Sequence, residues 1–100
     1  MTEATRAFST PITPVEAIEA AYQEAYYLSD TATNEAEIDA AVELATLLLT
    51  QLIYTTGATS RDAAAKLAVA LTSLAPFCRY EPAYELLETV LGDLRAMAGA

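Results

Sequence analysis

The chain has 100 residues, 54% of them hydrophobic, with a net charge of −9 and no histidine. That is one small domain with enough apolar side chains for a core. The charge balance argues against direct nucleic-acid contacts, which need Lys and Arg, and against anionic membrane surfaces. Gly and Pro are rare and alanine is the commonest residue, which favours close-packed helices.

Residues 1–12 are polar, Thr-rich and read as a flexible N-terminal arm. The opening MTEATRAFST has no apolar signal region, and the lone Cys78 allows no intrachain disulfide. Both point to a reducing compartment, the cytoplasm. The remainder, 13–100, is expected to be a single helical-bundle domain. Thr13-Pro14-Val15-Glu16 reads as a helix start, with Thr as cap, Pro at the first position and Glu at the third. The first helix should run to about Leu28, with Val15, Ile18, Ala21, Tyr22, Ala25 and Leu28 inward. Glu16, Glu19, Gln23 and Tyr27 point outward. A short turn then predicts antiparallel packing on the next helix.

That next helix is the longest uninterrupted pattern, from cap Asn34 to a left-handed stop at Gly57, and it should be the centre of the bundle. Glu35, Asp39, Glu43, Thr46 and Thr50 form one narrow polar stripe. Ile38, Ala41, Val42, Ala45, Leu48, Leu49, Leu52 and Ile53 lie on one side of the stripe. Ala40, Leu44 and Leu47 extend the apolar arc on the other. So wide an arc is either surrounded by its own chain or shared with a second chain. The Leu44, Leu47 and Gln51 side is therefore the candidate dimer surface.

Thr59 or Ser60 should cap a third helix, with Ala64, Leu67, Ala68, Leu71, Leu74 and Ala75 inside and Pro76 stopping or kinking it. Pro82 starts the fourth. Its inner side is read as Ala83, Leu86, Leu87, Val90, Leu91, Leu94, Met97 and Ala98. The fold class is all-α, a small antiparallel bundle of four main helices around the helix at about 34–56.

TGATSRDAAAKLAVAL, followed after a connector by LLETVLGDLRAMAG, resembles small, largely uncharacterised helical proteins of bacterial prophages and accessory genomes. This chain lacks the Trp that such proteins often carry in their first helix. The resemblance implies an accessory, phage-related context and action by binding; it carries over no functional residue.

Chemistry-bearing patterns are sparse. Glu35, Asp39 and Glu43 stand four apart on the polar stripe, but a di-metal bundle needs inward Glu with Glu-x-x-His pairs. Neither Cys78 nor any Ser has a His to activate it, and no glycine-rich phosphate loop occurs. No catalytic residue, cofactor or metal is expected. Between Ala7 and Ser60 there is no Lys or Arg, against Glu16, Glu19, Glu24, Asp30, Glu35, Glu37, Asp39 and Glu43. Exposed Tyr among acids suits an interface, so Glu16, Glu19, Tyr27, Glu35, Asp39 and Glu43 form the candidate partner surface. The expected function is a non-enzymatic, homodimeric protein–protein interaction module. One alternative is an acidic inhibitor occupying a basic nucleic-acid-binding site on a partner protein. A second is a small enzyme or apolar-ligand binder, which would require Glu and Tyr facing each other in a closed pocket.

Overall fold

The computed structural model describes residues 12–99, so the expected arm lies outside the described residues except for Ile12. The described residues are all-helical, with four helices in contact: α1 Pro14–Thr31, α2 Glu35–Tyr54, α3 Ser60–Cys78 and α4 Pro82–Gly99.

The starts follow from local chemistry. The Thr13 hydroxyl accepts from the Glu16 amide at 3.1 Å, and the Thr13 amide donates to the Glu16 carboxylate at 3.2 Å, closing a capping box. Asn34 caps α2 through the Glu37 amide at 2.8 Å. Thr59 caps α3 through the Asp62 amide at 3.1 Å.

The ends differ from expectation. Helix α1 continues to Thr31, closed by the Ala32 amide on the Leu28 carbonyl at 2.9 Å. Helix α2 stops at Tyr54, where Thr55 turns extended. The Thr55 amide reaches the Leu52 carbonyl at 3.3 Å and its hydroxyl the Gln51 carbonyl at 2.7 Å. No described glycine has a positive φ, so Gly57 is not a left-handed stop. Pro76 cannot donate to the Thr72 carbonyl, yet α3 runs two residues past it to Cys78.

Three helix pairs pack extensively: α1 with α2, α1 with α3, and α3 with α4. Thr13 meets Asp62 and Gln23 meets Thr72, both 49 residues apart in the chain. A constant offset over ten residues means that α1 and α3 run side by side in the same direction. Helix α3 lies between α1 and α4 and holds the most buried residues, including Ala64, Ala65, Ala68, Val69 and Leu71. The core cluster joins Val15 and Tyr22 of α1, Leu52 of α2, and Ala65 and Val69 of α3. Helix α2 buries only Ala41 and Leu52, and its main neighbour is α1.

One polar junction ties the starts of α1 and α3. Asp62, only 3% exposed, accepts from the Thr13 hydroxyl at 2.6 Å and the Ala58 amide at 2.9 Å. Beside it, Arg61 donates to Glu16 at 2.7 Å. Gly57 is needed for this close approach: a Cβ there would lie 3.0 Å from the Asp62 Cβ, and Asp62 is held from several sides. Gly57→Ala is therefore expected to cost about 1–2 kcal/mol of stability, read as a lower urea midpoint at an unchanged m-value.

Candidate interaction surface

The acids of the first half divide into two environments. Glu16 and Glu19 line a cleft with Arg61 and Arg95, which α3 and α4 supply. The Thr13 amide, with help from Arg61, holds the Glu16 carboxyl below the usual range. Burial raises that of Glu19, partly opposed by Arg95. Glu35, Asp39 and Glu43 instead stay exposed on α2, and no ion pair among the described residues involves them. Helix α2 begins beside the end of α1, about 22 Å along that helix from Glu16. The structure therefore does not gather all five acids into one patch. Sequence reasoning saw eight acids without a base nearby because Arg61 and Arg95 are distant in the chain.

Tyr27 is 66% exposed, as its register suggested. Gln23, read as outward, donates to the Thr72 hydroxyl at 3.0 Å, and that hydroxyl donates to the Ala68 carbonyl at 3.0 Å. Burial pushes the Tyr22 phenol up, and its ring lies 6.3 Å from that of Tyr26.

Glu19 and Tyr84 both line an open cleft of α1, α3 and α4 with Gln23, Thr72, Glu88 and Arg95. The Tyr84 hydroxyl is committed to the Leu71 carbonyl at 3.2 Å. Tyr84 is the buried residue of α4, whereas Leu86, Val90 and Met97 of the expected inner side are exposed. No three His, Cys, Asp or Glu side chains among the described residues could hold a metal ion. No described helix is long and apolar enough to cross a membrane.

The apolar surface on α2 is the most distinctive feature. Its buried strip, with Ala41 and Leu52, rests on α1, but Val42 and Ile53, read on that same side, are 50% and 66% exposed. On the opposite flank Leu44 is 47% and Leu47 57% exposed, Gln51 is exposed, and Tyr54 is 83% exposed. At the start of that flank lies an apolar groove between the helices, lined by Leu28 and Thr31 of α1 and by Glu37, Ala40, Ala41 and Leu44 of α2.

No protein-family model matches the sequence, and no curated protein or solved structure matches it.

A twenty-residue helix normally hides its Leu residues under one wide stripe. Here they are split between two flanks, and α1 covers only one of them. The uncovered flank can offer dispersion and apolar burial to a second protein surface. The exposed carboxylates beside it can set charge preference.

Proposed function

We propose that this protein is a non-enzymatic helical protein–protein interaction module that works as a homodimer. Leu44, Leu47 and Gln51 of α2 form the dimer surface. The observation that carries this reading is the exposure of Leu44, Leu47 and Tyr54 along one flank of a helix that packs on α1 through a narrower strip. In the dimer α2 has chain on both sides. It then becomes the central helix of an antiparallel bundle, the place its composition suits. The resemblance to prophage and accessory-genome proteins supports a phage-related setting, and the lone Cys78 suits the cytoplasm. Light scattering at micromolar concentration tests the reading: twice the 10.6 kDa chain, about 21 kDa, supports it, and a clean monomer overturns it.

The exposed, unpaired Glu35, Asp39 and Glu43 support a second reading. There the module presents these acids, with Tyr27 near the end of α1, to a basic nucleic-acid-binding site on a partner protein. Binding of this kind weakens with salt and with Glu-to-Gln changes at positions 35 and 43. A specific partner indifferent to both removes it.

A further inference from the structure

On α2 the exposed residues Glu37, Ala40, Leu44, Leu47, Gln51 and Tyr54 follow one another at steps of three and four. That is the a/d spacing of a helix built to pair lengthwise with another helix. All six are exposed although the helix itself is packed on α1. Complete burial of the exposed area of this stripe and of the adjoining Leu28 would remove at most on the order of 600 Å² per copy. The total of about 1,200 Å² is where specific interfaces begin.

The charges of α2 decide the direction. Glu35, Glu37, Asp39 and Glu43 all lie in its first half, and from Leu44 to Tyr54 there is no charged residue. Parallel pairing would set Glu37 against its own copy and bring eight carboxylates to one end with no base on the stripe. Antiparallel pairing lays each acidic half against the partner's uncharged half and opposes the helix dipoles.

We infer that two copies associate through an antiparallel α2 pair in which Tyr54 of each copy fills the Leu28–Leu44 groove of the other. This rests on the dimer reading above and specifies its geometry. The two-fold axis falls between positions 45 and 46. Leu44 then meets the partner's Leu47, Ala40 meets the partner's Gln51, and Glu37 meets the partner's Tyr54. The register is self-consistent, because every a position faces a d position. The groove lined by Leu28, Ala40, Ala41 and Leu44 lies at the Glu37 end, where the partner's Tyr54 arrives. Its walls take the ring, and the Glu37 carboxylate accepts the phenol proton in a charge-assisted hydrogen bond. Tyr54 is otherwise a large aromatic side chain left almost wholly in water.

Single-cysteine variants test the geometry in a Cys78→Ser background. Ala40→Cys and Gln51→Cys are both at exposed positions, so neither disturbs the fold. In the antiparallel register each cysteine lies about 16 Å along the axis from its own copy, too far for a disulfide. Oxidation of either variant alone is expected to leave monomers on denaturing electrophoresis, and an equimolar mixture to give the 40–51 cross-linked dimer. Tyr54→Ala is expected to weaken the dimer at least tenfold, and Tyr54→Phe less than Tyr54→Ala. Cross-linking of each variant with itself, with the dimer mass intact, overturns the orientation while leaving self-association standing. A dimer that gives no cross-link, or ignores Tyr54→Ala, overturns the interface. A monomer at all concentrations overturns both this inference and the reading beneath it.

Discussion

Leu47→Glu is expected to convert the proposed dimer of about 21 kDa into a monomer of 10.6 kDa in light scattering. In the antiparallel pair each Leu47 packs against Leu44 of the partner subunit, so one substitution acts twice. Each replacement removes a large apolar side chain from the interface and puts a carboxylate against an aliphatic one. A cost of about 2–3 kcal/mol per copy corresponds to roughly a thousandfold or more in the dissociation constant. The fold of each copy should hardly notice. Leu47 is more than half exposed within its own chain, and surface changes of that kind stay within about 0.5 kcal/mol. The same variant should therefore keep its helical circular dichroism while losing half its mass. Leu86→Glu on α4 is the matched control: Leu86 is also exposed, but it lies off the stripe and should leave the mass unchanged. A Leu47→Glu protein that remains dimeric would remove α2 as the interface.

The second large effect concerns stability. Asp62 is buried, and the Ala58 amide, then the Thr13 hydroxyl, hold its carboxyl below the ordinary value of 3.8. A carboxyl whose folded pKa lies below its unfolded one contributes stability that is complete above the unfolded value. That contribution is lost as pH falls through the folded value. Asp62→Asn should accordingly lower the melting temperature at pH 7, on the order of 10 °C for a domain this small. The gap to the parent protein should narrow steadily below about pH 4. Glu16, depressed by the Thr13 amide and Arg61, adds to the acid loss in the same direction. Glu19 acts the other way, because burial raises its carboxyl and protonation relieves that cost. Comparing parent and Asp62→Asn melts from pH 7 to pH 3 isolates the Asp62 part. A gap of constant size across that range would show that the junction does not depend on the Asp62 charge.

The helix starts were legible because capping is local. Thr13, Asn34 and Thr59 each meet an amide three residues ahead, a distance the chain itself sets. The ends were less legible. Gly57 suggested a left-handed stop, but the Thr55 hydroxyl and amide close α2 before it, and Gly57 serves the approach to Asp62 instead. Nothing within a few residues of Gly57 announces that use. Asp62 stands in the first turn of α3, a place that says nothing of burial. Its burial depends on Thr13, 49 residues away.

The same division runs through the candidate surface. Periodicity alone placed Leu44, Leu47 and Gln51 on a flank apart from Ile38, Ala45, Leu48 and Leu49, since angular position on a helix is a property of spacing. Periodicity cannot say which apolar flank a neighbour covers. For α4 that left Leu86, Val90 and Met97 indistinguishable from the side that packs, and the single buried anchor, Tyr84, was missed. Nor can it rank helices by centrality: the most apolar helix, α2, packs mainly on α1, while the alanine-rich α3 sits between two neighbours. Alanine permits close approach on two sides at once, and bulk hydrophobicity does not require it. The sequence by itself determined an all-helical chain, its helix starts, an acidic first half and the two apolar flanks of α2. Only the tertiary structure decided which flank α1 covers, that Arg61 and Arg95 reach Glu16 and Glu19, and that Asp62 joins two helix starts. The last two depend on residues brought together across 45 or more positions of chain, and the first on how two successive helices roll against each other; no local pattern encodes either.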